Sequence, residues 1–311
     1  MPTAPIAMIG FVGAGRVGAQ AALEVASQGI DDIAMVDIIP GLAEGEALDI
    51  SHKLSETGVD VSVTGSSDYS NLKGSRVVVI TAGLARKPGM TRMDLLGKNA
   101  VIIGSVAKEV AKHAPDSVII TVTNPMDLMN YVVLKATGFP KNRVVGMGGV
   151  LDLSRFKHVL SLKLGVSRSS ITALVIGEHG ENMLPLARYT SIGGVPLTSL
   201  LNEKEVEETI QSTRQVAIDV ISKKGATVDA PGNAIARMVR AIAWDRKEIL
   251  PASTLLDGQY GVTGIGIGVP LMLGSSGVER VYELDLNDGE RAQFMKGVDT
   301  IKEGVAALPP A

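Results

Sequence analysis

Short runs of Val, Ile and Ala recur through the first half of the chain, and between them apolar residues return every three or four positions. The strand-like runs are IAMIGFV (6–12), DIAMVD (32–37), VDVSVTG (59–65), RVVVITAG (76–83), SVIITVT (117–123) and RVVGM (143–147). The intervening periodicity predicts helices over 17–28, 42–54, 98–113 and 126–137. Continuous β-branched runs mark strands buried on both faces, as in a parallel sheet covered by helices. This βαβα rhythm predicts a doubly wound sheet.

Near residue 150 the pattern changes. A helix over 151–164 leads into the strand ITALVIG (171–177), and charged helices follow near 202–223 and 232–247. Strand-like pieces near 260–269 and 281–284 precede an amphipathic helix over 288–306. The chain therefore divides into residues 1–149, of α/β character with a parallel sheet, and residues 150–311, of α+β character. No linker-like composition separates them, so the two halves are expected to pack tightly.

Composition narrows the chemistry. The 311 residues carry a net charge of −3, without long runs of one sign, so a nucleic-acid surface is not expected. An anionic ligand would have to find its positive charge locally. Cysteine is absent, which excludes disulfides, thiolate nucleophiles and Cys-held metals. That absence is compatible with a cytoplasmic protein. No basic stretch precedes the first apolar run, and no apolar window is long enough for a bilayer, so neither a leader nor a membrane span is expected.

The first motif is FVGAGRVG, which sets Gly13, Gly15 and Gly18 in the spacing G-x-G-x-x-G directly after a predicted strand and at the opening of a predicted helix. Gly13 permits a tight turn, Gly15 lets backbone approach a pyrophosphate, and Gly18 lets helix and strand pack closely. The helix start offers unpaired N–H groups and partial positive charge to phosphates. Asp37 ends the next strand-like run, 19 residues beyond Gly18. A carboxylate there can accept from both ribose hydroxyls of an adenosine and repels a 2′-phosphate, which favours NAD over NADP. Residues 1–149 are thus expected to form a dinucleotide-binding (Rossmann) domain. The plainer reading, a glycine turn with a capping Asp, leaves the joint spacing unexplained.

Four further segments fall at predicted strand ends or helix starts, where a doubly wound sheet delivers functional residues. AGLARKPGMTRMDLL (82–96) carries Arg86, Lys87 and Arg92 in a polar stretch broken by Gly and Pro. TVTNP (121–125) carries Asn124, whose amide can hydrogen-bond a ligand or form an Asx turn. LDLSRF (151–156) places Asp152 and Arg155 three apart on one helix face, a spacing that an ordinary intrahelical ion pair also explains. VIGEHGEN (175–182) places His179 after a strand between glycines, whereas His52, His113 and His158 lie in helix-like stretches. Hydride transfer to or from a secondary alcohol needs a proton acceptor that works near neutral pH, which suits His179. A neighbouring carboxylate such as Asp152 would fix its tautomer. Arginines could stabilise a developing alkoxide and grip a carboxylate.

With these motifs the chain strongly resembles the lactate/malate dehydrogenase family from residue 5 to about residue 305, and within it the malate dehydrogenases of lactate-dehydrogenase type. The resemblance implies an N-terminal doubly wound parallel sheet and a C-terminal α+β catalytic domain. It implies that His179 of GEHG exchanges the proton, Asp152 of LDLSR orients it, and Arg155 grips the C1 carboxylate. Arg92 would polarise the C2 oxygen, Asn124 would bond the substrate near C2, and Thr227 of GATVDAPG would line the pocket. On the cofactor side it implies contacts from Gly13, Ala14, Gly15, Arg16, Val17, Gly18, Asp37, Thr81, Ala82, Gly83, Asn99, Val122 and Asn124. It further implies a homotetramer or, failing that, a homodimer, with no metal and a role in the tricarboxylic acid cycle.

Arg86 carries the substrate reading. In the family, Gln here goes with lactate and Arg with malate. Physically, a cation closed against the methyl group of pyruvate would be left unpaired, whereas malate and oxaloacetate offer a second carboxylate. A charge-assisted contact of about 1.5–3 kcal/mol corresponds to one to two orders of magnitude in preference. The expected function is reversible, NAD-dependent oxidation of (S)-malate to oxaloacetate, a small dicarboxylate pair. The competing readings are a lactate or broad 2-hydroxy-acid dehydrogenase and, more remotely, a non-catalytic NAD-binding protein. Two departures from the family pattern stand out: Glu181, where Asp is usual, and Thr227, which lactate-type enzymes also carry.

Overall fold

The computed structural model describes residues 8–84 and 92–309. Six strands run parallel in the first half: β1 (Met8–Val12), β2 (Asp32–Val36), β3 (Val63–Ser66), β4 (Ser75–Ile80), β5 (Val118–Thr121) and β6 (Val144–Gly146). They lie in the order β3-β2-β1-β4-β5-β6. Ile9, Phe11, Val77, Val79, Ile119 and Ile120 are buried, as two-faced strands under helices require. Four helices make the crossovers: α1 (Arg16–Ser27), α2 (Leu42–Thr57), α3 (Arg92–His113) and α4 (Met126–Thr137). Chain order reverses between β1 and β4, and in such sheets ligands bind beyond the carboxyl ends of the strands at that point.

The second half opens with α5 (Gly149–Leu164). The run 171–177, expected as one strand, is two: β7 (Ile171–Thr172) joins a small sheet, and β8 (Val175–Gly177) joins the large one. β9 (Met183–Pro185) pairs with β8, while β10 (Ser191–Ile192) and β11 (Val195–Pro196) complete the small antiparallel sheet. Then come α6 (Glu203–Lys224), α7 (Asp229–Ala243), β12 (Glu248–Asp257), β13 (Thr263–Gly274), β14 (Gly277–Val281) and α8 (Asp288–Ala306). The large sheet continues past β6 through the pair Ser253↔Gly146, then runs β12-β13-β8-β9 antiparallel.

Other departures from the expected elements have local causes. α3 begins at Arg92 rather than 98, because Leu96, Ala100 and Ile103 form a buried stripe that carries the helix across Gly97. α7 stops at Ala243, since Asp245 and Lys247 take positive φ values of 49° and 52°. The strand that follows, β12, escaped sequence reading because proline argues against a central strand. Pro251 pairs with Pro270, and as neither has an N–H to give, they share a position without ladder hydrogen bonds between them. α7 packs on α1, with a Cβ at Gly232 falling 2.6 Å from Gln20 Cγ. Arg240 Nη1 donates to Gln28 Oε1 at 3.0 Å and Trp244 Nε1 to the Ile30 carbonyl at 3.3 Å, so the halves are stitched along this face. Among the described residues no helix is long and apolar enough to cross a membrane.

Candidate active site

Backbone makes the first portion of the site. Leaving β1, Gly13 adopts φ +101°, and its N–H donates to the Val36 carbonyl at 2.8 Å. A Cβ at Gly13 would fall 2.6 Å from Ala82 N, and one at Gly18 would fall 1.8 Å from the Gly13 carbonyl oxygen. Gly15 is different: it caps α1 without a side-chain partner, and nothing lies within 4 Å of its missing Cβ. The first-turn N–H groups at Arg16 and Val17 therefore start a helix that opens onto free space. Across the turn, Asp37 Oδ2 accepts from Ala14 N at 2.7 Å and Oδ1 from Ile39 N at 2.9 Å. Each oxygen keeps acceptor capacity for a ribose hydroxyl. An open cradle of N–H donors beside a fixed carboxylate fits a dinucleotide such as NAD.

Thr81, Ala82 and Gly83 follow β4, and Val122 and Asn124 follow β5, at the same edge. Thr81 Oγ1 donates to the Gly13 carbonyl at 2.9 Å, which ties this strand end to the glycine turn. Thr123 Oγ1 donates to the Ala82 carbonyl at 2.5 Å. Asn124 is exposed and joined to Pro125 by a cis peptide bond. Asn99 stands apart from the other residues assigned to the cofactor: it is fully buried on α3, with its amide bonded to protein backbone.

Side chains make the second portion. His179 follows β8 after Gly177 turns the chain with φ +92°. Its Nδ1–H donates to Asp152 Oδ2 at 2.7 Å, since a carboxylate can only accept, and Nε2 is left as the basic nitrogen of the neutral ring. Arg155 Nη1 donates to the other oxygen, Asp152 Oδ1, at 3.0 Å. The ion pair expected from helix spacing is thus present, and the same carboxylate also holds the histidine. Gly148, just before α5, makes room for it: a Cβ there would fall 2.7 Å from His179 Cβ.

Sequence reasoning missed Asp127. From the first turn of α4 its Oδ2 accepts the backbone N–H of His179 at 2.8 Å. It is buried, and neither Asp127 Oδ1 nor the facing Ser253 Oγ closes a hydrogen bond of ordinary geometry. Burial pushes its carboxyl up to about 6, against the pull of the Ser253 hydroxyl and His179. In the sequence it looks like any acid in a first helical turn, where the dipole favours one. Burial works against the imidazolium of His179, but the charge and hydrogen bond of Asp152, joined by Asp127, outweigh it and raise the pKa above the ordinary value. The protonated ring is therefore favoured relative to a free imidazole, and the ring keeps Nε2 to take or give a proton.

The remaining predicted residues are placed as follows. Arg86 lies outside the described residues, as does the side chain of Arg92, whose backbone opens α3. Thr227 is half-buried in the link between α6 and α7. Of the other histidines, His52 is exposed on α2, His113 contacts Glu109 at 3.4 Å, and His158 Nδ1 lies 3.2 Å from Arg168 Nη2.

A family model described as the NAD binding domain of lactate/malate dehydrogenase matches residues 7–146, and one described as the alpha/beta C-terminal domain matches residues 149–307. The chain belongs to the lactate/malate dehydrogenase family. It is 46% identical over 304 residues to the malate dehydrogenase of Thermoproteus tenax, covering 97% of this chain and 99% of that one. Among solved structures, the malate dehydrogenase of Picrophilus torridus in its apo form superposes with a TM-score of 0.93 at 40% identity, covering 96% of each chain. The lactate dehydrogenase of Cryptosporidium parvum, complexed with lactic acid and NAD, superposes with a TM-score of 0.95 at 35% identity, covering 99% of this chain and 100% of that one. Backbone shape alone does not separate the two substrates within this family.

Proposed function

We propose that this chain is an NAD-dependent malate dehydrogenase that interconverts (S)-malate and oxaloacetate. The observation that carries the reading is the Asp152 carboxylate, which holds His179 Nδ1 on one oxygen and Arg155 on the other beside the dinucleotide crevice. NAD, when bound, supplies the hydride acceptor. Gly13 to Gly18 cradle its phosphates and Asp37 takes its ribose. His179 Nε2 accepts the proton of the C2 hydroxyl during oxidation and returns it during reduction, while Asp152 stabilises the imidazolium. Arg155 grips the C1 carboxylate, a task suited to a guanidinium fork. Arg92 and Asn124 bond the C2 oxygen, Thr227 lines the pocket, and Arg86 meets the second carboxylate. The 46% identity to a named malate dehydrogenase supports the diacid reading.

The decisive assay compares oxaloacetate with pyruvate, each with NADH and then NADPH. Oxaloacetate with NADH is expected to be preferred by at least about tenfold in kcat/KM over pyruvate. Arg86→Gln should erase most of that preference. Comparable efficiency on pyruvate in the unaltered protein would overturn the diacid assignment.

The finer points of the reading are a dinucleotide-binding domain over 1–149 and a catalytic domain over 150–311, a homotetramer or else a homodimer, and a cytoplasmic place in the tricarboxylic acid cycle. Exposed Leu48 on α2 and exposed Ile218 and Ile221 on α6 are apolar surface that subunit contacts would bury.

A further inference from the structure

Asn99 has no exposed surface and lies two turns into α3. Its Oδ1 accepts the Leu84 N–H at 2.8 Å, and its Nδ2 donates to the Leu84 carbonyl at 3.2 Å and to the Asn124 carbonyl at 2.8 Å. The two bonds to Leu84 copy the way one peptide group pairs with another, and the third reaches across to the end of β5. Both hydrogens of the amide are spent, so it has none left for a ligand. The fit around it is close. A Cβ at Gly83, where φ is +140°, would fall 2.5 Å from Thr123 Cγ2 and 3.3 Å from Asn99 Oδ1. The Thr123 bond to the Ala82 carbonyl closes the same seam one residue earlier. The strand end 82–84 is thus pressed directly on 123–124, with Asn99 as the clasp.

We infer that Asn99 is a positioning residue which sets the Asn124 backbone, and so its exposed side chain, against the strand end 82–84, and that it makes no contact with NAD. This rests on the reading above, in which Asn124 bonds the substrate. The chemistry of the clasp requires one acceptor and two donors from a short side chain, which among neutral residues of this length only Asn offers. Asp has nearly the same shape but would turn carboxylate oxygens toward the Leu84 and Asn124 carbonyls. Ser is neutral but too short to close all three bonds.

The test measures the NADH Kd by fluorescence, the kcat and KM for oxaloacetate, and the Tm for wild type, Asn99→Asp and Asn99→Ser, with kinetics run well below each Tm. The expected result is an NADH Kd within about twofold of wild type, with kcat/KM for oxaloacetate down at least about tenfold, and more for Asp than for Ser. A tenfold rise in the NADH Kd would overturn the inference in favour of a cofactor contact. Unchanged kinetics with only a lowered Tm would overturn it in favour of a purely structural role. If neither variant folds, hydrogen exchange in the wild type decides. The Leu84 amide should be as protected without NADH as with it, and protection that appears only on NADH binding would sink the inference. A wild type inert toward oxaloacetate would instead sink the reading on which this one rests.

Discussion

At the carboxyl end of β1, the proposed anion cradle is main chain: three glycines, a helix start without a side-chain cap and the peptide N–H groups of its first turn. Beyond β8, where the proposed proton transfer takes place, the same edge of the sheet is built from charged side chains, and glycine turns the chain at Gly177 and makes room at Gly148. The contrast follows from the two tasks. A cofactor must come and go, so donors exposed to water and cheap to desolvate suit it. A proton acceptor must keep one ring orientation and a tuned pKa, which needs fixed charges in a low dielectric.

Three experiments would break or sharpen that contrast. The largest effect is expected from His179→Asn, which keeps a polar side chain but removes the titrating ring. Turnover of oxaloacetate should fall by about 10²–10⁴-fold while NADH binding persists. Loss of NADH binding would show the two regions to be one. Next comes Gly18→Ala, whose methyl group would fall 1.8 Å from the Gly13 carbonyl. The NADH Kd should rise at least about tenfold, read by fluorescence titration, because the turn must move off its donors. An unchanged Kd would mean the turn does not carry the phosphate grip.

The smallest effect is the most specific. Asp127→Asn keeps an acceptor for the His179 N–H but removes one of the charges that raise the imidazole pKa. The histidine should then lose its proton at lower pH. Reduction of oxaloacetate needs the imidazolium, so its basic limb should move to lower pH. Oxidation of malate needs the neutral ring, so its acid limb should move the same way. Profiles that superimpose on wild type would leave Asp127 a backbone prop only.

How much of this was legible in the sequence follows the same contrast. The proposed cofactor turn is local in sequence, so Gly13, Gly15, Gly18 and Asp37 announce themselves by spacing. The histidine and its partners come from three elements, and His179 lies 27 residues from Asp152 and 52 from Asp127. Asp152 and Arg155 could be read because helix geometry puts them on one face and the family resemblance gave that face a task. Asp127 could not, and Asn99 was named through the resemblance as a cofactor contact without its backbone bonds, since each bonds a backbone group brought near only by the packed sheet. The missed strand β12 and the divided run 171–177 have a related cause: pairing partners in the second half are distant in sequence, and local propensity does not encode them.

Asp152 and Arg155 ride a single turn of α5, bonded to one another. On the proposed reading this has a stereochemical consequence. The grip on C1 and the orientation of the base are offset by a rigid helical repeat, so the face of the carbinol carbon offered to the nicotinamide is dictated by α5. Exchanging the residue that meets the far end of the substrate would alter which side group is accepted. The enantiomer consumed would stay the same.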